Sequence, residues 1–233
     1  MSPFEKGLIE NSNIINAYHF GSRVYGSDTI NSDYDYVLVV DEFFVAPDKN
    51  ICVYTIHQFQ TLLNNCDIQI LECFFIPNKF IVKEKHRFCL NLDKQKLRTS
   101  ISTIASNSYV KGKKKVTVMN DYDLHAGLKS VFHSLRILNF GIQIAEHGKI
   151  IDYGAMNYVL WDLFKLSEQY QTVELWEVIN TKYKSVFNQL SSLFKQLCPK
   201  DLTEKNKKLN LIKILKKYNV ENVDLVDELL TVL

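Results

Sequence analysis

With 233 residues, the chain is long enough for one large hydrophobic core or two modest ones. Its 23% charged and 46% hydrophobic content is ordinary for a soluble globular protein. A net charge of only +2 gives no global electrostatic case for nucleic-acid binding, so any basic surface must be local.

Residues 4–16 read as an opening helix, with Leu8 and Ile9 turned inward and Ile14-Ile15 leading toward the first strand. Ala17 to Phe20 is a short apolar strand that enters a Gly21-Ser22 turn, and Arg23 to Gly26 start a helix. The stretch from Ser27 to Ser32 is a polar loop. Tyr36 to Val40 is a continuous apolar, β-branched run, expected to be a central strand covered on both faces. A further strand is expected at 51–56, a helix at 57–65, and a returning strand over Asp67–Ile76, stopped by Pro77. Asp93 then caps a helix toward Ser108, followed by a basic loop, Lys111-Gly112-Lys113-Lys114-Lys115. Asp121 or Asp123 caps a long helix that runs to His147 and is ended by Gly148. Amphipathic helices follow at about 154–170, 174–197, 202–218 and 223–232.

The fold class that emerges is α/β (α+β): a module with a mixed sheet over residues 1–92, then an all-α helical module over 93–233. No apolar run approaches a membrane span, and the N-terminus lacks a signal peptide's pattern, so no membrane partner and a cytoplasmic location are expected. The five cysteines, Cys52, Cys66, Cys73, Cys89 and Cys198, form no C-x-x-C pair and read as reduced core residues.

The chemistry concentrates near the start. Gly21 permits a backbone geometry other residues resist, and Ser22 with the amides after it can face an anion. After ten intervening residues, Asp33 and Asp35 sit two apart on a strand, so both carboxylates leave one face. Such a pair attracts a hard divalent cation, Mg²⁺ in the first place and Mn²⁺ as the alternative. A phosphate cradle joined to a metal cradle describes a nucleoside triphosphate site.

The pattern Gly21-Ser22-Arg23-x-Tyr25-Gly26 with Ser32-Asp33-Tyr34-Asp35 resembles the signature of the DNA polymerase beta-like nucleotidyltransferase superfamily. It is similar in particular to that superfamily's small predicted nucleotidyltransferases of bacteria, phages and large DNA viruses. Leu71-Glu72 before Pro77, and Lys129 with His133-Ser134-Leu135-Arg136, also look like that group. The resemblance covers the first third of the chain well and the middle thinly. It implies Mg²⁺-dependent transfer of a nucleoside monophosphate from an NTP to a nucleic acid (RNA included) or protein acceptor, with release of pyrophosphate. The alternative is a catalytically weak nucleotide- or RNA-binding regulatory module.

Two-metal phosphoryl transfer commonly uses a third acid. Glu72 is the choice over Asp67, because an unpaired charge inside an apolar run is costly without a partner or metal. Arg23 either binds phosphate or bridges Asp33 to its own backbone. Lys129, His133 and Arg136, at i, i+4 and i+7, share one helix face and either wall the nucleotide cleft or are simply solvated. Lys111, Lys113, Lys114 and Lys115 are candidates for an acceptor's phosphates. His57, His86 and His125 read as structural or surface residues, and Trp161 and Trp176 as core.

Overall fold

A computed structural model describes residues 2–46 and 48–200 of the chain. Helix α1 (Pro3–Glu10) opens on a capping box in which Ser2 and Glu5 satisfy each other's backbone amides. It ends six residues sooner than the expected 4–16 helix. The Asn11 side chain accepts from the Asn13 amide at 2.9 Å, a local turn that competes with the helix, and the β-branched pair Ile14-Ile15 joins strand β1 (Ile14–Phe20). The Gly21 turn leads into the one-turn helix α2 (Ser22–Tyr25). Strands β2 (Asp35–Val40) and β3 (Ile51–Thr55) and helix α3 (Ile56–Asn64) follow near their expected places.

The segment expected to return as a strand at 67–76 is instead helix α4 (Ile68–Phe74). Asp67 caps it, its carboxylate accepting from the amides of Gln69 and Ile70 at 3.0 and 3.3 Å. Residues 68 and 70–73 are buried, and a short continuous apolar run looks the same whether it becomes a buried helix or a buried strand. The fourth strand comes later, as β4 (Ile81–Glu84). Its pattern is masked by Lys83, which is buried and donates to the carbonyls of Leu8 and Asn11 at 3.2 and 2.7 Å. That amine closes the C-terminal end of α1.

The sheet is mixed, in the order β3-β2-β1-β4: β1 runs antiparallel to β2 and β4, and β2 parallel to β3. β2 is an interior strand with both faces covered. Val37 and Val39 enter the large core with the helices, whereas Tyr36, Leu38 and Val40 pack with Leu8, Ile14 and Ile51 on the other face.

Helix α5 (Lys94–Thr117) runs straight through the expected basic loop. Gly112 does not break it because the residue is buried where α5 meets α6 (Leu124–His147). A Cβ at Gly112 would lie 2.6 Å from Val131 Cγ2, and one at Gly127 would lie 2.7 Å from Val116 Cγ2. Paired glycines thus let the two backbones approach. Of the two expected caps, Asp121 and Asp123, α6 starts at Asp123, and it stops at Gly148, whose φ of +71° suits a glycine. Helices α7 (Asn157–Gln169) and α8 (Thr172–Leu197) complete the described fold. The helices expected at 202–218 and 223–232 lie outside the described residues. One continuous apolar core links the sheet, α4 and α5–α8, and the described residues up to Pro199 form one compact unit.

Candidate active site

The register of the first two strands builds the site. Phe20, the last residue of β1, pairs with Asp35, the first of β2, so the turn that follows Phe20 must lie beside the Asp35 side chain. Gly21 has φ of +78°, and a Cβ built there would overlap the Asp35 carboxylate. Only glycine satisfies both the backbone and the space. Asp33 stands two residues ahead, in the loop leading into the strand and not on the strand itself.

Ser22, Asp33 and Asp35 line a cleft of about 1120 Å³ whose facing wall carries Lys129, His133 and Arg136 of α6. Burial, followed by the negative charge of Asp33, pushes the Asp35 carboxyl above its ordinary range, and Lys129 pulls it back. Among the described residues, neither carboxylate makes a hydrogen bond or ion pair with a protein side chain. Two hard oxygen donors that form no ion pair with a described side chain suit Mg²⁺, which binds through one or two carboxylates and takes its remaining ligands from water and substrate phosphate. The described residues hold no cluster of three or more His, Cys, Asp or Glu side chains placed to ligate a metal.

Arg23 spends its donors locally. Its Nε and Nη2 donate to the carbonyls of Asp33 and Ser32 at 3.3 and 2.7 Å, and its Nη1 meets Asp28 at 3.3 Å. The guanidinium also lies 3.8 Å from the Tyr34 ring centroid. It clamps the loop that presents Asp33, the backbone-bridging arrangement of the two expected for it.

Glu72 is not brought to the carboxylate pair. Its place on α4 puts it 2% exposed, where it accepts from the Tyr25 hydroxyl and lies 3.8 Å from Arg136 Nη2. Burial pushes its carboxyl up, opposed by Arg136 and the Tyr25 hydrogen bond. Arg136, itself 5% exposed, sits 3.5 Å from the Tyr25 ring centroid, with Phe132 and Phe140 also around it. Its Nη2 donates to His133 Nδ1 at 2.9 Å, and its Nε is buried with no partner among the described residues. Burial, and then Arg136 and Lys111, push His133 down to about 3, so its imidazole is neutral and free to accept that bond.

No family model, curated protein or solved structure matches the chain.

The four lysines separate. Lys111 lines the cleft, whereas Lys114 and Lys115 pair with Asp121 at 3.2 and 3.0 Å, and Lys113 is exposed on α5 away from the cleft lining. Helical spacing fans consecutive residues around the axis, so a run that would be one patch in a loop is divided here. Several residues in the cleft wall or behind it escape the sequence reading. Tyr25 supplies the hydroxyl to Glu72, and Tyr153 reaches the Glu72 carbonyl at 2.7 Å. Asn157, the first residue of α7, donates to the Tyr25 carbonyl at 2.8 Å and ties α7 to the turn. Trp161, expected in the core, is 41% exposed at the cleft, and His125 lines it as well; Trp176 is buried as expected. The only sequence signal for this wall is the i, i+3 spacing of Trp161 and Phe164 on one helix.

Proposed function

We propose that the chain is an Mg²⁺-dependent nucleotidyltransferase that moves a nucleoside monophosphate from an NTP to a hydroxyl-bearing acceptor. The observation that carries this reading is the juxtaposition of the Gly21-Ser22 turn with two carboxylates that, among the described residues, pair with no side chain, across one cleft from Lys129 and Arg136. That is the chemistry a metal-bound triphosphate requires.

Asp33 and Asp35 would hold the cation, which when bound supplies positive charge to the reacting phosphates. Ser22 binds phosphate oxygen through its hydroxyl. Lys129 lies close enough to Asp35 to lower its pKa, and so offers a second positive charge at the same place. The acceptor oxygen forms a bond to the α-phosphorus and gives its proton to solvent water, while the bond from that phosphorus to the bridging oxygen breaks and pyrophosphate departs. Arg136 is held rigidly for the departing phosphates by its aromatic surroundings and by Glu72. Glu72 is therefore assigned to positioning Arg136 and not to the metal.

The test is incubation with α-labelled NTP, Mg²⁺ and total RNA or lysate, for the native chain and for Asp35→Asn. Label that reaches RNA or protein only with the native chain supports transfer. Nucleotide binding without transfer to any acceptor would favour the regulatory binding module, which the removal of Glu72 from the carboxylate pair also makes worth testing.

A further inference from the structure

The cleft has two chemically different parts. Its polar part joins Ser22, Asp33 and Asp35 to Lys129 and Arg136; the other part is aromatic, made by Trp161 and Phe164 of α7 and His125 of α6. The His125 ring lies nearly parallel to Phe164, with centroids 5.4 Å apart and planes at 26°, and Trp161 adjoins Phe164 at 6.5 Å. Trp161 is 41% exposed, while Leu160 and Leu163 beside it are 3% and 0% exposed and anchor the helix in the core. An indole facing the cleft from a helix so fixed is a rigid flat surface with little ordering cost to bind against.

Helix α6 sets the order of the two parts. His125 lies in its first turn, Lys129 one turn on, and Arg136 at the far end of the cleft, so the lining spans roughly 16 Å at 1.5 Å per residue. Lys129 faces Asp35 from the middle of that span. A ligand that fills such a cleft carries a planar ring at one end and a polyanion at the other. Burial, and then Lys129, push the His125 pKa down, opposed by Asp123.

We propose that Trp161, backed by Phe164 and His125, is the surface on which the base of the nucleoside triphosphate stacks. This rests on the nucleotidyltransferase reading of the same cleft and adds which end of it the base occupies. Stacking reads the flat face that every base has, so the surface holds any of the four bases.

Tryptophan fluorescence of the full chain tests it, because Trp176 is 7% exposed and packed against Tyr109 and so serves as a silent reference. With Mg²⁺ present, ATP is expected to quench the emission, whereas inorganic tripolyphosphate binds without quenching it. Followed by calorimetric titration, which does not depend on the indole, Trp161→Ala is expected to weaken ATP binding about tenfold, in line with what removing one base-stacking aromatic costs, and to leave tripolyphosphate binding unchanged. Trp161→Phe keeps a ring and is expected to restore most of the affinity, which excludes misfolding as the cause. Equal ATP affinity in Trp161→Ala and the native chain would overturn this inference while leaving the triphosphate site standing. Quenching by a single-stranded oligonucleotide but not by ATP would also overturn it, since the ring would then belong to the acceptor. Failure of both ATP and tripolyphosphate to bind would overturn the inference together with the proposed function.

Discussion

Gly21 is where backbone, strand register and chemistry meet. Gly21→Ala places a methyl group on the Asp35 carboxylate at a φ of +78°, so the carboxylate has to move. The expected loss of stability is about 1 kcal/mol from the strained backbone. The loss of transfer activity is far larger, on the order of 100-fold, as misplacement by an ångström typically costs. Thermal melting and α-label transfer measured on one preparation separate the two. His133 gives a second expectation. Its folded pKa of about 3 lies below the unfolded value, so the unfolded chain binds the extra proton between about pH 6.5 and pH 3. Stability from this group is therefore complete above pH 6.5 and is lost as pH falls through that window, at up to about 1.4 kcal/mol per pH unit. His133→Asn keeps an acceptor for Arg136 but cannot titrate, and urea melts across that range are expected to show a shallower decline than the native chain. Equal slopes would show that His133 is not held neutral.

At the scale of elements, the α5–α6 pair turns on Gly112 and Gly127. Alanine favours a helix interior by about 1 kcal/mol over glycine. At Gly112, however, the added methyl meets Val131 Cγ2 at 2.6 Å and the Gly127 carbonyl oxygen at 3.1 Å. Overpacking typically costs about 1–3 kcal/mol, so Gly112→Ala is expected to lower the melting temperature. A raised one would mean that the helices separate cheaply. The same helix sorts the lysines: for a single-stranded acceptor, Lys111→Gln is expected to flatten the salt dependence of binding by roughly 0.7 in slope. Lys113→Gln, outside the cleft lining, is expected to leave that slope unchanged.

These elements also show what the residue pattern carried and what it did not. The Gly21 turn, the β2 core strand, the Asp123 cap and the Gly148 stop are written in local chemistry, and the structure places them where that chemistry predicts. Ile68–Phe74 was not legible, because a seven-residue apolar run has no period long enough to tell a buried helix from a buried strand. The lysine run misled for a different reason: Gly112 looks like a breaker until its partner helix is present. The role of Glu72 depends on Arg136, about 60 positions away, and the place of α7, which carries Trp161, on the Asn157–Tyr25 hydrogen bond across about 130 positions, through packing that no local pattern records.

Over the whole described unit, the cleft is where the turn of the sheet meets the helices, and a shared core fixes their relation. Tyr25 leaves the turn, Glu72 comes from α4, Arg136 from α6 and Asn157 from α7, and hydrogen bonds and ion pairing connect all four. The near-neutral charge of the chain means that affinity for a polyanion must come from this local arrangement and not from a general field. The most direct test is calorimetric titration of an NTP, with and without Mg²⁺, into the native chain and into Asp33→Asn/Asp35→Asn. The account predicts tight binding only for the native chain with Mg²⁺, and weak binding in the other three cases. NTP binding that survives loss of both carboxylates and of Mg²⁺, or no NTP binding by the native chain, would contradict it.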